Sequence, residues 1–152
     1  PLRVTTILEM LDGMKMPMKR IFVRRGKQDY LADYGDIDIA LDTFPYAGGA
    51  STATALYMGV PVVSLRGETH HASRLGAAML TAAGKSAWIA EDARAYENLA
   101  VRMAEDIAAV RASRATLRAE VEKSALTDGA SYLSAVTGEI ERLWVQRGDF
   151  SR

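Results

Sequence analysis

The period of the apolar positions changes several times along this chain, and each change marks an element. In VTTILEMLDGM, Ile7, Met10, Leu11 and Met14 recur at helical spacing. After Pro17 comes RIFV, a short apolar run of strand type, and DYLADYG reads as one or two helical turns ending at Gly35. IDIAL alternates Ile37, Ile39 and Leu41 with Asp38 and Ala40, which is the period of a strand. STATALYM is helical in character from Ser51 and stops at Gly59, with Pro61 just beyond, the usual order of helix exit signals. VPVVSL is a continuous apolar run, as expected of a strand covered on both faces.

Further on, Thr69 offers an N-cap for a small-residue helix that Gly84 would stop. SAWIA reads as a fourth short strand. Asp92 can cap the next helix, whose apolar face is Tyr96, Leu99, Ala100, Met103, Ile107 and Val110. Another helix is expected over roughly 114–124, and a last one with Tyr132, Leu133, Val136, Ile140, Leu143 and Trp144 on one face. The Met and aromatic positions of these last helices read as core. Strands alternate with helices over the first two-thirds, which implies a parallel sheet with crossover helices. The final third is helical and is expected to pack back onto that layer. The pattern predicts one α/β domain over residues 1–152.

Composition narrows what such a domain can do. At 152 residues the chain can bury a proper core. Its 19 basic and 19 acidic residues cancel, which argues against a dedicated nucleic-acid or anionic-membrane surface. With no cysteine there is neither a disulfide framework nor a thiolate metal site. The two histidines form one dipeptide, leaving little room for histidine catalysis. No run reaches the roughly 18 apolar residues of a membrane span, nothing resembles a signal peptide, and a cytoplasmic location is the expectation. The first residue is Pro rather than Met, so the chain is expected to be a piece of something longer.

The candidate chemistry lies in LDTFPYAGGASTATALYM, between the second strand and its helix. In open parallel sheets ligands sit beyond the carboxyl ends of strands, where loops enter helix N-termini. The first N–H groups of such a helix lack partners and carry about half a positive charge, so a phosphate satisfies both. Gly48 and Gly49 would let the backbone approach an anion, and Ser51 and Thr52 could add hydroxyl donors. A plain turn with capping hydroxyls is the alternative, because GG-x-[ST] is weaker than a true P-loop.

The longer stretch LDTFPYAGGASTATALYMGVPVVSLRGETHHASRLGAAML closely resembles the signature of the O-GlcNAc transferase (SPINDLY-like) glycosyltransferases. YLADYGDIDIALD before it and SALTDGASYLSAVTGEIERLW after it are similar to the flanking parts of that family. The resemblance implies the Rossmann-like, nucleotide-sugar-binding C-terminal half of a GT-B fold, ending in a helical segment. It further implies a UDP-sugar donor, usually UDP-GlcNAc, transfer to Ser or Thr of a protein acceptor, and no need for a metal or other cofactor. On that resemblance the diphosphate falls to Gly48, Gly49, Ala50 and Ser51. The family favours two threonines where this chain has Ala50 and Ser51, so one hydroxyl donor is lost. Its ribose-gripping acidic residue falls on Thr54, and its Asn before the glycines on Ala47. Upstream, Lys27 matches a lysine lying against the uracil, and Tyr30 stands where some members stack a histidine on it. The acceptor-binding half, an upstream phosphate-contacting lysine and the helical repeats for protein substrates are not in this stretch, so no catalytic base is named.

Other clusters have both a sharp and a bland reading. His70 and His71 with Glu68 suggest a metal, but adjacent residues do not share a helix face and zinc needs three or four convergent ligands. Capping, or a place near the donor phosphate, suits them better. Asp38 and Asp42 suggest paired glycosidase carboxylates; Asp42 in the signature suits a structural role at the strand end. Arg24, Arg25 and Lys27 are either a solvated edge or help for the nucleotide. Two rivals to the transferase remain: a degenerate non-catalytic module, for which Ala47, Ala50 and Thr54 speak, and a GT-B enzyme with another donor or a small-molecule acceptor.

Overall fold

The computed structural model describes residues 4–24, 28–68 and 70–147. The chain divides into two units, 1–30 and 31–152. In the first, helix α1 runs Val4–Gly13 and a 3-10 turn covers Met18–Arg20. The expected strand at RIFV is absent: Ile21, Phe22 and Val23 have no strand structure, and Phe22 is largely exposed. An extended apolar run becomes a strand only when a neighbour takes its backbone hydrogen bonds, and among the described residues none pairs with it.

The second unit carries three parallel strands in the order β1 (Ala40–Leu41), β2 (Val62–Leu65), β3 (Ile89–Ala90). Ala40 pairs with Val62 and Ser64 with Ile89. The sheet therefore has three strands, not four, and IDIAL and SAWIA are strand only in their last two residues. Ser86–Trp88 forms a 3-10 turn instead, and Tyr30–Asp36 is the short helical stretch expected of DYLADYG, as a 3-10 helix. β2, in the middle, is the continuous apolar run, and Val62, Val63 and Ser64 are fully buried.

Helices α2 (Ala50–Tyr57) and α3 (His71–Ala82) link the strands. Both end in the same device. Gly59 and Gly84 take positive φ, +76° and +70°, which glycine adopts without Cβ strain. Gly59 N donates to Leu56 O and Val60 N to Ala55 O at 3.0 and 2.8 Å; Gly84 and Lys85 repeat this onto Thr81 and Leu80. These bonds satisfy the last carbonyls and turn the chain straight into β2 and the β3 turn. His70, not Thr69, is the N-cap of α3; Thr69 lies outside the described residues.

The two helices expected here, one through Val110 and one over 114–124, are both present, but the break between them falls earlier, at Asp106: α4 is Ala93–Glu105 and α5 is Ile107–Glu122. Asp92 caps the first, accepting from Ala95 N at 2.7 Å, and Asp106 caps the second, accepting from Ala109 N at 3.2 Å. Asp106 breaks the pattern because its carboxylate competes for the backbone N–H groups that a continuing helix would use. The core joins Leu56, Val60, Val62 and Leu80 to Leu117 and Val121 of α5, so part of the helical third does pack back. The last helix, α6 (Gly129–Arg147), does not become core. None of its residues is buried, and Trp144 is 74% exposed. Its period shows which face could be covered and says nothing of what covers it. Among the described residues no helix is long and apolar enough to cross a membrane.

Candidate functional site

Beyond the carboxyl end of β1 the chain makes a closed loop before entering α2, and Asp42 holds it shut. Asp42 N donates to Val63 O at 2.9 Å, which extends the β1–β2 ladder to the point where the loop begins. The Asp42 carboxylate then turns inward: Oδ1 accepts from Gly48 N and Oδ2 from Ser64 Oγ, each at 2.7 Å. Tyr96 Oη donates to Asp42 O at 2.8 Å from α4. Burial, and secondarily the Asp42 charge, pushes the Tyr96 hydroxyl above its ordinary pKa, so it stays a donor.

Gly48 is required by this arrangement. A Cβ there would lie 2.5 Å from Ser51 Oγ, 2.7 Å from Thr52 Oγ1 and 2.9 Å from Asp42 Oδ1. Three oxygens therefore crowd the side of Gly48 that carries no side chain. Ala47 is buried and its N–H donates to Ala72 O at 3.0 Å, tying the loop to the first turn of α3.

Gly49 is the N-cap of α2 and has no side chain to offer the first turn. The opening N–H groups of the helix are thus left for solvent or a ligand, together with the positive end of the dipole. Ala50 and Ser51 are exposed at this terminus, and Thr52 is buried beneath it. Ser51 and Thr52 also line a cleft of about 250 Å³ with Thr43, Leu41, Ile37 and Tyr34. Its hydroxyls gather at the helix start and its apolar wall along β1. Thr54, one turn on, donates from Oγ1 to Ala50 O at 2.8 Å, so its hydroxyl turns back onto its own helix.

The structure thus brings Gly48, Gly49, Ala50, Ser51 and Thr52 together and sets Thr54 one turn behind them. Tyr30 is half-exposed and is the last residue of the first unit. Lys27 and Arg25 lie outside the described residues. Asp38 and Asp42 do not form a pair. Asp38 precedes β1 and grips Arg111 through Nε and Nη2, both at 2.9 Å, which holds its carboxyl below the usual aspartate value. Asp42 braces the loop, the structural role that its place at the strand end suggested. His70 and His71 are exposed at the start of α3, and the His70 carbonyl accepts from Ser73 Oγ at 2.7 Å. Among the described residues no three His, Cys, Asp or Glu side chains converge on one point.

Sequence reasoning missed three parts of the brace: Ser64, Gly76 and Tyr96. Only Ser64 leaves a local trace, as the one polar residue inside the apolar run of β2. Gly76 in mid-helix and Tyr96, 54 positions from Asp42, acquire their roles through tertiary contact alone.

Comparison with known proteins gives the family of the chain. Residues 6–136 match the family described as Glycosyl transferase family 41. The chain belongs to that family. It is 38% identical over 116 residues to a protein of Eustoma exaltatum subsp. russellianum named "Probable UDP-N-acetylglucosamine--peptide N-acetylglucosaminyltransferase SPINDLY", covering 76% of this chain and 12% of that protein. A protein of the same name from Petunia hybrida is 36% identical over 142 residues, covering 93% of this chain and 15% of its own length. A mutant of the O-GlcNAc transferase of Thermobaculum terrenum has a solved structure that matches 92% of this chain with a TM-score of 0.80 and 30% identity. This chain covers 27% of it. The small parallel sheet with its flanking helices is therefore part of a GT-B glycosyltransferase fold. This family 41 chain spans only 12 to 15% of the two curated relatives.

Proposed function

We propose that this chain is the UDP-sugar-binding part of a glycosyltransferase that transfers GlcNAc to Ser or Thr of a protein. The observation that carries the reading is the uncapped start of α2 behind a glycine loop that Asp42 holds closed. A diphosphate seated there meets unpaired N–H groups, the helix dipole and the Ser51 hydroxyl. As the sugar leaves, negative charge grows on the phosphate, and donors already in position stabilise it without reorganising. Lys27 and Tyr30 are assigned to the uracil and Thr54 to the ribose, on the family resemblance. UDP leaves by this electrostatic assistance as the sugar passes to the acceptor hydroxyl, with no metal assigned. The acceptor and the catalytic base belong to parts of the protein beyond this stretch. A cytoplasmic location goes with a nucleotide-sugar donor, which is made there.

One observation favours the degenerate module instead: Thr54 Oγ1 is engaged by Ala50 O and no carboxylate stands in its place. Calorimetric titration of the full-length gene product with UDP, ADP and GDP decides between the readings. Saturable UDP binding at micromolar to low-millimolar concentration, tighter than ADP or GDP, supports the transferase. Tighter GDP or ADP binding would assign another donor, and no heat with any of the three would leave the non-catalytic module.

A further inference from the structure

The loop that leads to the phosphate turn also carries two aromatic rings that the fold leaves open. Tyr46 is 71% exposed and Phe44 51% exposed. Isolated exposed aromatics need no explanation, but these two are held in place. Thr43 Oγ1 donates to Tyr46 O at 2.7 Å, fixing the backbone that presents the ring. Phe44 meets Tyr96 edge-on, with ring centroids 5.5 Å apart and planes at 74°, and Tyr96 is itself anchored on Asp42 O. The Asp42–Gly48 bond then closes the loop just past Tyr46. Exposed apolar area on a rigid, multiply tied loop is the form of a preorganised contact surface.

The ligand class follows from position. Tyr46 precedes the N-cap Gly49 by three residues. Their Cα atoms are thus at most about 11 Å apart, and closer in a loop that folds on itself. In a nucleotide sugar the hexose is bonded through one oxygen to the second phosphate, so its ring lies within one ring's reach of the phosphate site. The C–H groups on one face of a pyranose carry partial positive charge, and the face of an aromatic ring is negative. We infer that Tyr46 is the platform on which the hexosyl group of the donor lies. This rests on the UDP-sugar reading above and adds the residues that would sense the sugar rather than the nucleotide.

The test is calorimetric titration of the full-length gene product and its Tyr46→Ala and Tyr46→Phe variants with UDP and with UDP-GlcNAc. Tyr46→Ala is expected to weaken UDP-GlcNAc by roughly two- to tenfold, the scale of one aromatic contact. UDP itself should bind all three proteins alike, and Tyr46→Phe, which keeps the ring, should match the wild type with both ligands. Equal losses for UDP and UDP-GlcNAc in Tyr46→Ala would make Tyr46 a support of the loop and overturn the platform. Unchanged UDP-GlcNAc affinity beside intact UDP binding would overturn it too, and hand the exposed rings to the acceptor. A wild type that binds neither ligand would instead overturn the donor reading from which the platform starts.

Discussion

Gly76, in the middle of α3, lies against the carboxylate of Asp42 so closely that a Cβ would overlap both Asp42 Oδ2 and Ser64 Oγ. The bare helix face is what lets a strand-end aspartate turn inward and tie the glycine loop. Gly76→Ala is expected to lower stability by roughly 1–3 kcal/mol, as overpacking does, and to loosen UDP binding with it. Thermal melts and UDP titration of the same variant check both. An unshifted melt would mean that the brace has room to move.

Asp42→Ala leaves the Gly48 N–H and the Ser64 hydroxyl without their acceptor, a loss of about 1–3 kcal/mol for each donor stranded from water. Asp42→Asn should be much milder. Its amide oxygen can still accept from Gly48 N, and its NH₂ can donate to Ser64 Oγ once that hydroxyl reverses. Denaturant unfolding should therefore rank wild type and Asp42→Asn together, above Asp42→Ala. Loss of UDP binding in Asp42→Asn with an unchanged midpoint would make the carboxylate a ligand rather than a brace.

Thr54 is the departure with the clearest consequence for affinity. An aspartate there could accept from two ribose hydroxyls, and charged hydrogen bonds are worth roughly 1.5–3 kcal/mol against about 1 for neutral ones. Thr54→Asp is expected to tighten UDP by around tenfold on that difference. Calorimetry with UDP and with 2′-deoxy-UDP checks it, since the gain should shrink when a ribose hydroxyl is missing. Equal gains for both nucleotides would assign the effect to general charge and not to the ribose.

Helices α5 and α6 give opposite expectations for the same substitution. Leu117 is 1% exposed among Leu56, Leu80 and Val121, so Leu117→Ala should destabilise by roughly 2–5 kcal/mol. Leu133 is exposed on α6, and Leu133→Ala should stay within about 0.5 kcal/mol in this chain. Urea unfolding of the two variants would show the contrast, and a large loss at Leu133 would mean that α6 is covered in solution.

The Asp38–Arg111 pair predicts an acid dependence. The Arg111 hydrogen bonds hold the Asp38 carboxyl below its ordinary 3.8, so the folded state favours the ionised form. Its contribution is fully present above that ordinary value and is lost as pH falls through the lower folded one. The stability difference between wild type and Asp38→Asn should stay flat from neutral pH down to about 4 and shrink below it. Both side chains are substantially exposed, so high salt should shrink the difference at neutral pH as well. A difference that grew on acidification would refute the pairing.

Much of the middle of the chain was legible from local chemistry. Gly59 and Gly84 stop helices because a left-handed residue after the last turn favours glycine, and Asp92 caps α4 because its carboxylate reaches the third backbone N–H on. VPVVSL announced a strand covered on both faces because a run apolar on both must be shielded on both. The glycine loop was legible as the family signature, while its helix begins at Ala50, one residue before the expected Ser51, which makes Gly49 the N-cap. RIFV failed for the opposite reason: a strand needs a neighbour, and pairing is not written in a short apolar run.

What the sequence by itself determined is therefore where α2 and α3 stop, which strand is covered on both faces, and which loop could face an anion. Each depends on backbone conformation or burial within a few residues. Only the tertiary structure decided that Asp42 is a brace, because its partners Ser64, Gly76 and Tyr96 come from β2, α3 and α4. It alone decided that Thr54 turns its hydroxyl onto Ala50, and that the apolar stripe of α6 stays open while that of α5 is core. Periodicity measures the tendency of a face to leave water; which surface receives it depends on contacts between residues far apart in the chain.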